Sequence, residues 1–297
     1  MSVFVCGSLH YDVVVNAPHL PRLDETVAGG AVTYIFGGKG GNQAVAAARM
    51  GARTLFAGRI GEDASGAFLR QGLTGSGVDV SQLQQGPGAS GMSVAVVEPD
   101  GGYGAVIVSA ANLDIDPDRI SVPGDAKIVV LQNEVPEAVN LAVAQKARKS
   151  GAEVVLNAAP ARQVGASLLP LVDVLVVNRV EAADMLETGE AELDPLSAAQ
   201  ALSRLGPKTV IITLGGDGLA LFEEGTTALL QPGHSVEVIS THGAGDRFLG
   251  AFAAARNAGD SLLGAARFGQ AAAALHVSTA VDLRNTITRQ GVEALIR

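Results

Sequence analysis

Tryptophan is absent from this 297-residue chain, cysteine occurs once, and aromatic residues make up 4% of it. A single cysteine, Cys6, rules out an intrachain disulfide and a cysteine-cluster metal site. Following Val3-Phe4-Val5, it reads as a small buried hydrophobe. The shortage of aromatics leaves little for a base-stacking platform. Positive charge is also short: 21 Lys and Arg against 30 Asp and Glu give a formal net charge of −9, which argues against a nucleic-acid partner. No run approaches the roughly 18 apolar residues of a membrane span, and no basic stretch leads into an apolar one at the amino terminus. These absences together predict a soluble cytoplasmic protein that acts on a small molecule.

What is present is core material and glycine. At 47% hydrophobic and 17% charged residues, the chain has the balance of a well-buried globule and the length to enclose a large core. Its 37 glycines fall in clusters and not in a repeat, a pattern that brings backbone close to ligands.

From about residue 127 onward, short apolar runs alternate with helical patterns, the signature of a parallel sheet flanked by helices. The runs are Ile128-Val129-Val130-Leu131, Val154-Val155-Leu156, Val174-Leu175-Val176-Val177 and Val210-Ile211-Ile212-Thr213-Leu214. Between them the patterning predicts helices over 138–150, ended by Gly151, and over 181–187, ended by Gly189. Alanine-rich helices are expected over 244–258 and from 261 to about 278, packed on the sheet. Two segments, about 11–36 and 89–111, carry β-branched residues and turns instead. They read as antiparallel strands of a small projecting sheet, the second a hairpin turning at Glu98-Pro99-Asp100-Gly101-Gly102. No Pro/Ser-rich linker sets them apart, so the whole chain, 1–297, reads as a single domain with these segments as insertions.

Two glycine clusters carry chemistry. Phe36-Gly37-Gly38-Lys39-Gly40-Gly41-Asn42-Gln43 precedes a helix predicted over 44–50, and unpaired amides at a helix start suit oxygen-rich or anionic ligands. The spacing is neither that of a Walker A loop nor the full dinucleotide fingerprint. A purely structural turn stays open. The second cluster, Ser240-Thr241-His242-Gly243-Ala244-Gly245-Asp246-Arg247-Phe248, leads into the helix at 244. Its small residues let backbone amides approach a phosphate, and Asp246 stands in the first turn as a candidate general base. An aspartate there also complements a helix dipole.

Both clusters, with Gly7-Ser8 and Asp12, Gln132-Asn133-Glu134-Val135-Pro136, Leu156-Asn157-Ala158-Ala159-Pro160-Ala161-Arg162, Asn178-Arg179-Val180-Glu181 and Thr213-Leu214-Gly215-Gly216-Asp217-Gly218, occur in the order found in one family. The chain resembles the ribokinase-like (phosphofructokinase-B-type) carbohydrate kinases along almost its whole length, and most closely their ribose-phosphorylating members. The resemblance implies a three-layer α/β/α sandwich with a mostly parallel central sheet and a small β-sheet lid. It implies ATP-dependent, magnesium-dependent phosphorylation of a sugar hydroxyl, with ribose to ribose 5-phosphate as the leading reaction.

By the same resemblance, Asp246 is the base and Gly243, Ala244 and Gly245 form an anion hole. Asp12, Gly38, Lys39, Gly40, Gly41, Asn42 and Glu134 hold the sugar. Asn178, Thr213, Leu214, Gly215, Gly216, Asp217, Gly218 and Gly245 hold the nucleotide, and Glu181 acts on magnesium through water. The lid is also expected to form a homodimer contact. Plain alternatives stay open: Glu134 as a solvated loop acid, Asn178 as a helix cap, Gly215-Gly216 as a tight turn.

The pattern is broken in places. Ser240 stands where the family usually has an aspartate that helps bind a monovalent cation, and 278–288 does not match the glycine-containing loop that supplies other cation ligands. Activity is therefore expected to vary little between sodium and potassium. His10 replaces a sugar-contacting asparagine, and Arg247 replaces a small or hydroxyl residue, changes that bear on specificity. A nucleoside, fructose or a ketodeoxy sugar acid remains open as substrate, with Tyr11, Tyr34, Phe36 and Tyr103 as candidate walls for a base. So does a non-catalytic sugar sensor.

Overall fold

The computed structural model describes the chain except residues 101 and 297. Its strands are β1 (Ser2–Cys6), β2 (His10–Asn16), β3 (Ala31–Gly37), β4 (Thr54–Gly61), β5 (Asp79–Gly86), β6 (Met92–Val97), β7 (Tyr103–Val108), β8 (Ala126–Gln132), β9 (Glu153–Asn157), β10 (Val174–Asn178), β11 (Thr209–Thr213), β12 (Leu219–Glu223) and β13 (Leu229–Gln231). The helices are α1 (Lys39–Arg49), α2 (Ala64–Gly75), α3 (Glu137–Ser150), α4 (Arg179–Met185), α5 (Pro195–Ser203), α6 (Ala244–Ala258), α7 (Leu262–Ser278) and α8 (Arg289–Ile296).

Nine strands form the central sheet in the order β13-β12-β11-β10-β9-β8-β1-β4-β5. All pair in parallel except β12 and β13, which close one edge antiparallel. Strand β1 is buried throughout, as a parallel strand covered on both faces must be. Its alternate residues serve different layers. Val3 and Val5 pack with α1, α6 and α7, including Val45, Phe248, Phe252 and Ala271. Phe4 and Cys6 pack on the opposite face with α3, α4 and α5, including Val139, Val143, Ala182 and Leu202. Each fully buried Val, Leu or Phe contributes about 1.5–3 kcal/mol, so these two cores hold the three layers together. Cys6 is buried as expected, and burial pushes its thiol up to about 12. No described helix is long and apolar enough to cross a membrane.

The 11–36 and 89–111 segments do meet in a separate four-stranded sheet, ordered β3-β2-β6-β7. Its pairing corrects the antiparallel expectation: β2–β3 and β6–β7 are antiparallel hairpins, but they join through a parallel β2–β6 contact. The Glu98 amide donates to the Gly102 carbonyl at 2.8 Å and closes the second hairpin, while Gly101 of that turn lies outside the described residues.

Two helix boundaries also move. Helix α1 starts at Lys39 and not at residue 44, so Gly40 and Gly41 lie inside its first turn. Glycine is a poor helix former, and packing overrides that here: a Cβ on Gly40 would stand 2.7 Å from the Gly7 carbonyl carbon and the Ser8 nitrogen. Helix α4 occupies 179–185 instead of 181–187, because Glu187 itself takes a left-handed φ of 53° and turns the chain before Gly189. Gly151 ends α3 in the left-handed conformation that its position predicts.

Candidate active site

Strands β1, β8, β9, β10 and β11 run the same way, so the residues just past their carboxyl ends collect on one edge. The chain leaves β1 for β4 on one side and returns to β8 on the other, which opens a crevice at this reversal of strand order. A cavity of about 340 Å³ lies there. His10, Asp12, Gly38, Lys39 and Asn42 line it from the lid and α1, Glu134, Asn178, Glu181 and Thr213 from the strand ends, and Gly243, Ala244, Gly245 and Asp246 from the start of α6. The two glycine clusters, some 200 residues apart in the chain, thus face one cleft.

Asp246 is only 9% exposed and forms no ion pair among the described residues. Its carboxylate accepts from Gln43 Nε2 at 2.9 Å and from Asn42 Nδ2 at 3.2 Å. Burial pushes this carboxyl above the usual carboxylate range, and Lys39, Gln43 and Asn42 act against the shift. A buried carboxylate with poised basicity, two positioning amides and open space in front has the makings of a proton acceptor. Gly243, at φ 77°, caps α6 without any side-chain donor or acceptor; Ala244 N donates to Thr241 O at 3.1 Å, while the Gly245 amide has no protein acceptor among the described residues. A Cβ on Gly245 would meet nothing within 4 Å, so the bare backbone there opens onto the cavity.

On the lid side, Asp12 Oδ1 accepts from Ser93 Oγ at 2.5 Å, and burial raises its pKa against that bond. Glu134 is not a solvated loop acid: its Oε2 accepts from Ser8 Oγ at 2.5 Å and from the Lys39 amide at 2.8 Å. His10 is 4% exposed, with Nδ1 3.9 Å from Glu134 and a buried Nε2 that has no partner among the described residues. A buried unpaired ring nitrogen costs stability unless a ligand satisfies it. Gly40 and Gly41 are buried beneath the cleft and do not line it.

A second cavity, of about 530 Å³, adjoins the first, and Thr213, Thr241, Ala244, Gly245 and Phe248 line both. Gly215, Gly216 and Gly218 form one wall of it, and Val236, Val238, Ala273 and Val277 give an apolar one. Leu214 and Asp217 line neither cavity; they belong to the turn in which Leu214 N donates to Gly218 O. Asn178 does cap a helix, in a reciprocal box: its side chain accepts from Glu181 N and the Glu181 carboxylate accepts from Asn178 N, each at 2.8 Å. Burial raises the Glu181 pKa, with the bond to Asn178 opposing.

The donor set bears on magnesium. Among the described residues no group of three His, Cys, Asp or Glu side chains is placed to hold a metal. Glu181 and Asp246 line the same cleft as separate carboxylates. That fits magnesium, which keeps waters and is held mainly by nucleotide phosphates, and not a metal that needs a protein cage.

Several site residues escaped the sequence reading. Gln43 bonds Asp246 and, at 3.2 Å, Asn157 Oδ1. Ser93 and Ile107 reach the cleft from β6 and β7. Gln43 adjoins the glycine cluster and was legible in principle; Ser93 was not, because only the parallel β2–β6 pairing sets it opposite Asp12. Of the candidate base-binding aromatics, Tyr11, Tyr34, Phe36 and Tyr103, none lines either cavity.

One family pattern, one relative and two solved structures bear on this geometry. The sequence pattern of the pfkB family carbohydrate kinase matches residues 1–284. The ribokinase of Haemophilus influenzae is 36% identical over 299 residues, covering 96% of this chain and 95% of that protein. A structure of Arabidopsis thaliana ribokinase complexed with ribose and ATP superposes with a TM-score of 0.91 at 31% identity, covering 100% of this chain and 98% of that one. A ribokinase structure from Thermotoga maritima gives 0.90 at 28% identity, with 100% and 99% covered.

Proposed function

The chain belongs to the pfkB family of carbohydrate kinases and is an ATP-dependent sugar kinase, and from that premise we propose that it phosphorylates ribose to ribose 5-phosphate. The observation that carries the assignment of roles is the buried Asp246 carboxylate, held by Asn42 and Gln43 in a cleft shared with Lys39 and the start of α6. Ribose itself rests on the likeness to ribokinases, one of them complexed with ribose and ATP.

Phosphoryl transfer asks for alignment, charge neutralisation and a proton acceptor. The sugar sits against Asp12, Gly38, Lys39, Asn42 and Glu134, with His10 Nε2 donating to or accepting from one hydroxyl. Gly40 and Gly41 serve by letting α1 approach Gly7 and Leu9. The nucleotide takes the adjoining cavity along Asn178, Thr213, Gly215, Gly216 and Gly218, with Leu214 and Asp217 shaping that turn. Asp246 accepts the proton of the attacking hydroxyl, the hydroxyl oxygen bonds the terminal phosphorus of ATP, and the bond from that phosphorus to the bridging oxygen breaks, the oxygen leaving on ADP with the electron pair. The amides of Gly243 and Gly245 receive the negative charge that develops, and Ala244, whose own amide donates to Thr241 O at 3.1 Å, shapes the turn between them. Glu181 would hold magnesium through water, and the ion would neutralise charge on the transferring phosphates.

The four-stranded sheet acts as the lid, excluding water once sugar is bound. We also assign it the contact of a cytoplasmic homodimer. Cross-strand partners Tyr34, Val13, Val94 and Val106 share the face opposite Asp12 and Ser93, and Tyr34, Val94 and Val106 are exposed.

A coupled ADP-release assay over pentoses, hexoses, nucleosides and keto-deoxy sugar acids tests the substrate. Ribose should give the highest kcat/KM. A better acceptor of another class would replace ribose, and tight sugar binding without turnover would make the protein a sensor.

A further inference from the structure

Behind the loop that enters α6, main-chain carbonyls from two separate segments converge on one side chain. Arg284 Nη2 donates to Ser240 O at 2.7 Å, Nη1 to His242 O at 3.1 Å and Nε to Thr279 O at 3.3 Å. Arg284 as a residue is 8% exposed, and its guanidinium forms no ion pair among the described residues. Carbonyl dipoles aimed at one point repel each other unless a positive centre lies between them, and a buried cation is costly unless fully hydrogen-bonded. Each requirement answers the other here. The planar fork of arginine stays charged and can bridge oxygens that a lysine would meet one at a time.

The consequence reaches the cleft through one peptide plane. The His242 carbonyl and the Gly243 N–H belong to the same planar trans unit and point in opposite directions. Pinning the carbonyl on the Arg284 side therefore aims the amide on the other. His276 Nε2, 2.8 Å from the same carbonyl, adds a second hold. Gly243, at φ 77°, has the freedom to swing without such anchors.

Resting on the kinase reading above, we propose that Arg284 is a positioning residue, a tethered internal cation that sets the direction of the Gly243 amide and supplies fixed positive charge behind the anion-accepting turn. A dissolved monovalent cation is then unnecessary, because the carbonyls that would ligate it are already taken by Arg284.

The test compares the full-length wild type with Arg284→Gly and Arg284→Lys in sodium buffer, with and without added potassium or guanidinium chloride. Wild-type kcat should be the same in every salt. Arg284→Gly should lose kcat by about 10²-fold, the order of one lost transition-state donor. Its sugar KM should stay within about twofold, as for an interaction made only in the transition state. Guanidinium or potassium should restore part of the lost kcat, and amide hydrogen exchange over 240–245 should quicken. A wild-type kcat in Arg284→Gly, or a loss that neither ion repairs with exchange unchanged, overturns the proposal. Should the glycine variant fail to fold, Arg284→Lys decides, since the charge remains without the fork: reduced kcat at unchanged KM upholds the role, and wild-type kcat removes it. If the wild type turns over no sugar, the kinase reading has failed by itself, and the exchange measurement still reads whether Arg284 holds the loop.

Discussion

The helix starts at α1 and α6 look alike in sequence, each a glycine cluster with a polar residue at its end, yet their glycines answer to different causes. At α1 a Cβ on Gly38 would stand 2.7 Å from His10 N and Leu9 Cα, one on Gly40 2.7 Å from Gly7 and Ser8 backbone, and one on Gly41 2.6 Å from Leu9 Cδ2. These glycines let a helix lie directly on the β1–β2 connection, which is how Lys39 and Asn42 come to face the cleft. Both caps take a positive φ, 87° at Gly38 and 77° at Gly243, so that need is shared; at α6, however, the space in front of Gly245 is empty. Glycine at α1 serves packing of protein on protein; at α6 it leaves room for something the protein does not itself supply.

The contrast is open to attack at four points. Asp246→Asn removes the acceptor while sparing the α6 backbone, so turnover should drop by about 10²–10⁴-fold with sugar affinity retained, read by steady-state kinetics and calorimetry. Near-normal turnover would dissociate the α6 cluster from the chemistry. Gly40→Ala should destabilise the fold by about 1–3 kcal/mol, as overpacking against backbone does, visible as a lower denaturation midpoint. Gly245→Ala should leave stability unchanged or raise it by up to about 1 kcal/mol, glycine being the poorer helix former, while turnover falls. Equal behaviour of these two alanine variants would erase the distinction between the clusters.

The smallest effect concerns pH. Asp246 has to be ionised to accept a proton, and its pKa is raised, so activity should be lost as pH falls through a value above the ~3.9 of a free aspartate. Stability runs the other way. A carboxyl whose folded pKa exceeds its unfolded one favours the native state below the unfolded pKa, and that contribution disappears as pH rises through the folded pKa. The residual activity of Asp246→Asn should lack the acid limb, and its unfolding free energy should lose this part of the pH slope. An unchanged acid limb would assign it to Asp12 or Glu181, whose pKa values burial also raises.

Much of the site was readable before any coordinates. Apolar runs marked four parallel strands, β8 to β11, to within a residue or two but left β1, β4 and β5 of the same sheet unmarked, and the clusters marked where ligands approach. What failed to read is instructive. Gly40 and Gly41 counted as sugar contacts on pattern alone, and only their neighbours reveal them as packing residues. The Asn178 and Glu181 pair is a reciprocal helix cap, which the sequence allowed but did not distinguish from a ligand role. The region 278–288 registered only as a missing match; in three dimensions it delivers Arg284 to the loop at 240–242.

Periodicity and glycine placement are local properties, written into neighbouring residues by strand alternation, helix repeat and backbone freedom. They were sufficient for a parallel sheet flanked by helices and for the start of α6, whereas α1 begins at Lys39 and not at the residue 44 that the pattern predicted. The parallel joining of the two lid hairpins, the hold of Gln43 on Asp246 across 203 positions and the reach of Arg284 to Ser240 and His242 belong to the tertiary structure alone. Each depends on which distant groups share a small volume, and that is settled by the packing of the whole chain.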